Sequence, residues 1–199
     1  MNTRLTAMTL ALSTGLAAGS TELLNDPGFD QFGTFWGSFG NADFNAFFGG
    51  NPHASFFADG NGNFGGVFQL GLANTDGALY EFSLTDVRLE SNFNANLRFG
   101  LEFYAVDDST KLGEVLVDID SNDPNDGLVT GDGLTFSMQA TGLNGAAFVR
   151  PIILFDNAAP IGSGQQNAFV FSASLTIVPA PAGAALLFGG AVIAGRRRR

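Results

Sequence analysis

Cysteine is absent from the 199-residue chain, and histidine occurs only once, as His53. The first absence excludes disulfide bonds and thiol chemistry, so packing or a bound ion must stabilise the fold. The second excludes histidine-rich metal sites and leaves a serine hydrolase only one possible base. No serine stands in a Gly-x-Ser-x-Gly sequence. We therefore expect a protein that is not an enzyme, with a two-carboxylate polysaccharide hydrolase as the distant alternative.

Basic residues are also scarce, and most of them lie at the two ends. All 19 acidic residues fall between Glu22 and Asp156. The basic residues of that stretch are Arg88, Arg98, Lys111 and Arg150. The formal charge of the stretch is therefore −15, which repels phosphate backbones and argues against a nucleic-acid partner. Such a body suits an extracellular domain or one that binds divalent cations.

Residues 1–19 have the organisation of a signal peptide. Arg4 supplies the positive charge, residues 5–16 form a short apolar segment, and residues 17–19 are small. The alternative is a frayed N-terminal helix. The signal-peptide interpretation predicts export and a mature body that begins near residue 20.

The last 22 residues, 178–199, have a second targeting pattern. An uncharged run over residues 183–195 follows Val178, Pro179, Ala180 and Pro181, and the chain ends with Arg196, Arg197, Arg198 and Arg199. As a helix, residues 179–195 would span about 25 Å, close to the thickness of a hydrocarbon core. Four arginines after this transmembrane helix would hold that end in the cytoplasm. A plain single-span membrane anchor is the alternative interpretation.

This order of Pro-x-Pro, apolar helix and arginine cluster resembles the PEP-CTERM sorting signal of Gram-negative bacteria. Ala180 stands where that family usually has Glu, which gives the Pro-Ala-Pro variant. The resemblance implies that an exosortase-type membrane enzyme is a partner and cleaves near the motif. It further implies that the protein is anchored in the inner membrane before sorting and then transferred to the cell envelope or extracellular matrix.

Between the two ends the hydrophobic pattern has a period of two, which is typical of β-strands. Leu97, Phe99, Leu101 and Phe103 alternate with polar residues that include Arg98, Glu102 and Tyr104. Similar segments, bounded by Gly, Asn, Asp or Pro, predict about nine strands over residues 34–39, 54–57, 66–72, 80–89, 96–105, 114–119, 134–140, 148–155 and 169–177. Strands with one wet face form antiparallel sheets. We therefore predict an all-β body, residues 20–177, folded as an antiparallel β-sandwich of jelly-roll type, with an up-and-down barrel as the alternative.

The start of the body resembles the opening of carbohydrate-binding-module-like jelly rolls. Residues 24–30 read Leu-Asn-Asp-Pro-Gly-Phe-Asp, and Trp36 follows. Residues 66–69 and 77–84 resemble the third and fourth strand regions of that family. The resemblance implies a non-catalytic domain that binds polysaccharide, here an exopolysaccharide of the matrix. The alternative function is a purely structural matrix or adhesin component without a sugar site.

Trp36, Tyr80 and Tyr104 are the candidate sugar-stacking residues, because each ring carries a polar group and can lie half exposed. Most Phe side chains, 21 in all, are expected in the core. The alternative for Trp36 is that its ring lies in the core as well.

A structural calcium ion is the remaining expectation. In the resembled modules the acid after Gly-Phe helps to bind Ca²⁺, and Asp30 holds that position here. The family's second acid, in the last strand, has no counterpart in residues 169–177, so Asp156 is the substitute that we consider. Oxygen ligands of this kind suit calcium, which requires six to eight of them.

Overall fold

Strands dominate the part of the chain that the computed structural model describes, residues 20–31, 33–58, 64–89, 95–119, 133–156 and 166–179. These ranges contain eleven strands and no helix. The strands are β1 (Trp36–Gly40), β2 (Ala42–Phe48), β3 (Asn51–Ala58), β4 (Gly65–Gln69), β5 (Leu72–Ala73), β6 (Leu79–Leu89), β7 (Asn96–Tyr104), β8 (Lys111–Ile119), β9 (Leu134–Thr141), β10 (Phe148–Asp156) and β11 (Gln166–Val178). The predicted all-β fold is confirmed.

Two antiparallel sheets enclose a single hydrophobic core. Sheet I has the strand order β1-β4-β10-β7-β8, with β5 pairing β10 beside it. Sheet II has the order β2-β3-β11-β6-β9. Phe99 of sheet I packs against Phe82 of sheet II at 5.7 Å between ring centroids, and Phe155 meets Phe56 in the same way at 6.4 Å. The predicted β-sandwich is therefore confirmed, and the barrel alternative is wrong.

Strand β7 shows how the sequence pattern creates this core. Leu97, Phe99, Leu101 and Phe103 are all buried and belong to the core cluster. Successive side chains of a strand point to opposite faces, so these four positions face sheet II together. The residues between them necessarily lie on the other face of sheet I.

Two strands were not predicted from the sequence. The predicted strand at residues 66–72 ends at Gln69, because Gly71 adopts a positive φ of 78° and turns the chain before β5. Strand β2 alternates apolar and polar residues only from Ala42 to Ala46 before two phenylalanines follow, and its register with β3 shifts between Asn45 and Phe48. Such an irregularity hides a strand from a search for period two.

The N-terminal segment is hydrogen-bonded to the last strand. Glu22 forms an isolated bridge with Thr176, and its carboxylate accepts hydrogen bonds from the backbone N–H groups of Leu24 and Leu175 at 2.9 and 3.0 Å. Ser20–Val178 form one compact unit. The predicted signal peptide and the tail from Ala180 onwards, including Pro181 and the four terminal arginines, lie outside the described residues.

Candidate functional site

The outer face of sheet I, which points away from the core, carries the candidate site. Residues paired directly across strands share a face, so the register assigns it. One row across the sheet consists of Arg98, Leu154, Gly66 and Phe39. The next row consists of Gly100, Ile152, Phe68 and Gly37. This face therefore combines glycines and large apolar side chains where polar residues were expected.

Phe39 and Phe68 lean across the neighbouring strand into the space that two glycines leave. A Cβ built on Gly37 would lie 2.7 Å from Cζ of Phe68. A Cβ built on Gly66 would lie 2.7 Å from Cζ of Phe39. Both distances are below van der Waals contact, so only glycine allows the rings to lie this close to the sheet.

Phe64 extends the two rings into a surface cluster. Its ring centroid lies 6.2 Å from that of Phe39, which in turn lies 6.1 Å from that of Phe68. Phe64 is 61% exposed, and the other two rings are partly exposed. We call Phe39, Phe64 and Phe68 the aromatic strip.

Arg150 continues the strip on its inner side. The guanidinium carbon lies 5.1 Å from the ring centroid of Phe68 and 3.8 Å from that of Tyr104. These are cation–π distances, and the guanidinium therefore lies between two aromatic rings. Its terminal nitrogens reach Glu102 at 3.9 Å and Asp108 at 3.4 Å.

Glu102 is the charged group at the centre of this region. Only 9% of its side chain is exposed, although it lies on the predicted polar face. Its carboxylate accepts a hydrogen bond from the Tyr104 hydroxyl at 2.8 Å and pairs with Lys111 at 3.2 Å. Burial, and then the bond to Glu102, raises the pKa of Tyr104, so the phenol stays protonated as a donor.

A second ion pair lies at the other end of the face. Arg98 pairs with Asp156 of the adjacent strand and lies 4.0 Å from Asp118 of β8. Asn96 donates a further hydrogen bond to Asp156 at 3.3 Å. The outer face of sheet I therefore holds an apolar strip bordered by paired charges.

Trp36 does not lie on this face. Its side chain is 3% exposed, and its indole N–H donates to the backbone oxygen of Asp26 at 2.8 Å. Its ring packs against Phe29 at 5.0 Å. The expectation of a half-exposed Trp36 is therefore wrong, and the alternative of a core ring is correct.

Tyr80 and Tyr104 are buried as well. Tyr80 is 0% exposed, with its hydroxyl accepting the N–H of Thr75 at 2.7 Å. Tyr104 lies on the outer face as predicted, but it is 8% exposed and Arg150 covers its ring. None of the three predicted residues offers a ring face to solvent, and the exposed rings are phenylalanines instead.

The two predicted calcium ligands do not assemble a ligand set among the described residues. Asp30 is exposed, and its backbone N–H donates to the carboxylate of Asp26 at 2.9 Å. Asp156 is paired with Arg98. No group of three or more His, Cys, Asp or Glu side chains suited to a metal ion occurs in the described ranges. Calcium takes six to eight oxygen ligands, so a site at Asp30 would need most of them from backbone and amide oxygens.

A concave region lies at the turn between β1 and β2. This open polar pocket of about 310 Å³ is lined by Ser38, Gly40, Asn41, Ala42, Asp43 and Phe57. It provides hydroxyl, amide and carboxylate groups but only one aromatic ring. It offers a small polar ligand a place apart from the aromatic strip.

Of the predicted sorting motif, only Val178 and Pro179 are described; Val178 ends β11 and Pro179 is exposed. A search of the described part of the chain finds no helix long and apolar enough to cross a membrane.

Comparison with protein-family models and with curated proteins finds no match. Solved structures share the fold at low identity. The enzymatically active domain of tailspike protein 4 of bacteriophage CBA120 has a TM-score of 0.56 at 8% identity over 79% of this chain and 21% of that chain. A family 16 carbohydrate-binding module has a TM-score of 0.52 at 11% identity over 77% of this chain and 98% of its own.

A structure containing the CBM22-1 and GH10 modules of endo-1,4-beta-D-xylanase 10B from Clostridium thermocellum, complexed with xylohexaose, has a TM-score of 0.51 at 11% identity. It is matched over 80% of this chain and 28% of its own length. The chain thus spans about a fifth of the tailspike domain and the whole of the single family 16 module. The body has the β-sandwich fold that carbohydrate-binding modules adopt.

Proposed function

We propose that this protein binds polysaccharide, without catalysis, through the outer face of sheet I. The observation that carries the proposal is the aromatic strip, three phenylalanine rings about 6 Å apart on a surface flanked by hydrogen-bonding groups. A pyranose ring has an apolar C–H face that stacks on an aromatic ring and a rim of hydroxyls that hydrogen-bond to charged side chains. Ligand sites commonly combine apolar lining with a few polar groups in this way.

The strip is also costly for a protein that does not use it. Exposed aromatic side chains in a cluster are unusual on monomeric soluble domains and mark interaction sites. Gly37 and Gly66 weaken β1 and β4 locally, since glycine in a strand costs conformational entropy. A surface that combines both features is better explained by binding than by packing alone.

The fold supports the same class of ligand. One of the similar structures is a family 16 carbohydrate-binding module, and another is complexed with xylohexaose. At 11% identity they support the proposal through architecture only, so the binding residues must come from this chain.

Affinity electrophoresis of the full-length protein in a polyoxyethylene detergent tests the proposal, because sugar-based detergents would compete. Soluble polysaccharides in the gel should retard the wild type. Phe39→Ala and Phe68→Ala should each weaken binding about 5- to 30-fold, the effect of losing an aromatic anchor. If both variants fold and bind as the wild type does, the strip is not the site.

A matched control comes from the other sheet. Phe171 is partly exposed, and its ring lies 4.3 Å from the Arg88 guanidinium carbon, as Phe68 lies near Arg150. Phe171→Ala should leave polysaccharide binding unchanged. Gly37→Ala offers a gentler probe, since its new Cβ would meet only the Phe68 ring tip among its nearest atoms and should tilt that ring. We expect a several-fold loss of affinity from Gly37→Ala with little loss of stability.

We further propose that the body is exported and then sorted to the cell envelope or matrix, on the basis of the sequence of its two ends. Deletion of Arg196, Arg197, Arg198 and Arg199 should impair retention and processing, because the charge that stops transfer is lost. Intact-mass analysis of the native protein tests this. A mass that includes the whole tail would leave a plain membrane anchor as the explanation.

A further inference from the structure

Three of the four basic residues of the body lie on or beside the outer face of sheet I. They are Arg98, Lys111 and Arg150, whereas Arg88 lies in β6 of sheet II. Taken alone, this concentration would suggest a site for an acidic polysaccharide. The pairing of each cation leads to the opposite conclusion.

Every one of these cations is already neutralised by carboxylates of the chain. Arg98 is paired with Asp156 and approaches Asp118, and Lys111 lies 2.7 Å from Glu114 and 3.2 Å from Glu102. Arg150 is shared between Glu102 and Asp108. Three positive charges therefore face five negative ones, and the region remains net negative.

An anionic ligand group cannot readily replace the chain's own carboxylates as the partner of these cations. Because 9% of the Glu102 side chain is exposed, the carboxylate depends on Arg150, Lys111 and Tyr104 in place of water. A ligand carboxylate that took Arg150 would remove one of the two cations that face the buried Glu102 carboxylate and leave Lys111 alone opposite it, which is unfavourable. It would also enter the field of a body whose formal charge is −15.

We infer that the aromatic strip selects neutral polysaccharides and excludes those that carry uronic acids or other anionic groups. The inference rests on the proposed function and adds the chemical class of the ligand. In this arrangement the arginines are already neutralised by carboxylates of the chain. Their planar guanidinium groups donate hydrogen bonds to sugar hydroxyls and pack against the neighbouring rings. The outer carboxylates, Glu114 and Asp118, act against acidic chains.

The test compares polymers that differ only in charge. A soluble β-glucan, a galactomannan and a xyloglucan are each used before and after oxidation of their primary alcohols to carboxylates. The full-length protein should bind at least one neutral polymer, and about three- to tenfold more weakly after oxidation at about 20 mM salt. The difference should shrink at about 300 mM salt, because exposed charges are screened.

The double variant Glu114→Gln/Asp118→Asn provides the control, since both side chains are exposed, at 44% and 79%, and neither belongs to the strip. It should raise affinity for the oxidised polymer about two- to tenfold and leave affinity for the neutral polymer unchanged. Equal or tighter binding of the oxidised polymer by the wild type would overturn the inference while the proposed function stands. Binding of neither form would overturn the proposed function, and the inference with it.

Discussion

Replacement of Phe99 by alanine should destabilise the protein severely. Phe99 is 1% exposed and packs against Phe82 and Phe136 at 5.7 and 6.4 Å, which links β7 of sheet I to both β6 and β9 of sheet II. Truncation removes roughly 150 Å² of buried apolar surface, which at about 25 cal/mol per Å² is worth about 4 kcal/mol. Measured Phe→Ala losses in cores are about 3–5 kcal/mol. Because domains are stable by only about 5–15 kcal/mol, a large share of the total would be lost.

Urea denaturation followed by far-ultraviolet circular dichroism measures this effect. With m near 3 kcal/mol/M, the midpoint should fall by about 1 to 2 M. The melting temperature should fall by about 6–20 °C for a domain of this size. Arg98→Ala, on the opposite face of the same strand, is the control and should cost about 1 kcal/mol or less. Equal losses at Phe99 and Arg98 would refute the assignment of one face of sheet I to the core.

Three further predictions follow from single side chains. Glu102→Ala should cost about 2–4 kcal/mol in urea denaturation, because Arg150 and Lys111 lose a shared buried partner. Glu114→Ala should cost less than about 1 kcal/mol, and a similarly small cost at Glu102 would mean that its network stabilises the fold no more than an exposed ion pair does. Burial lowers the pKa of His53 below its usual value of 6.5, so the unfolded state binds the proton more readily and stability should fall as the pH drops from 7.5 through 6.5 towards the lower folded-state pKa. This slope should be absent in His53→Gln, and an identical slope in the variant would exclude His53 as its source. Calcium binding stays a prediction of the sequence resemblance. An ion at a hundredfold excess over its dissociation constant stabilises by about 2.7 kcal/mol, so chelation should lower the melting temperature by about 5–10 °C, and Asp30→Ala should abolish the difference. Equal melting temperatures in calcium and in chelator would exclude the site.

Much of the fold follows from local pattern. The alternation in residues 97–103 predicts which side of β7 is buried, and the structure agrees at each apolar position. The strands at residues 80–89 and 148–155 were predicted within one residue of their observed ends. Pattern succeeds here because one wet and one dry face impose a period of two on the sequence.

The aromatic residues of the site were assigned incorrectly because side chains alternate between the two faces of β1. Trp36 and Phe39 are three positions apart in β1, so if one ring faces the core the other must face outward. Residue type favours an exposed Trp and a buried Phe, but the hydrogen bond to Asp26 and the contact with Phe29 draw Trp36 inward. Phe39 is then placed outside, and its register with Gly66 of β4 gives the ring room.

Glu102 shows a second limit of sequence analysis. Its place on the polar face of β7 was predicted, but its burial was not, because the groups that cover it come from distant positions. Arg150 lies 48 residues away in sequence and directly opposite in the register of β10 and β7. Local alternation identifies a face, whereas only strand pairing reveals which charges meet on it.

The most direct test of binding at the aromatic strip is a map of where a saccharide contacts the protein. Amide chemical shifts of the ¹⁵N-labelled full-length protein are recorded by NMR while a neutral oligosaccharide is added. The largest changes should occur at Gly37, Phe39, Gly66 and Phe68, with none at His53 or Phe171 on sheet II. Changes centred on sheet II, or on the pocket lined by Asn41, Asp43 and Phe57, would contradict the claim that the aromatic strip is the binding site.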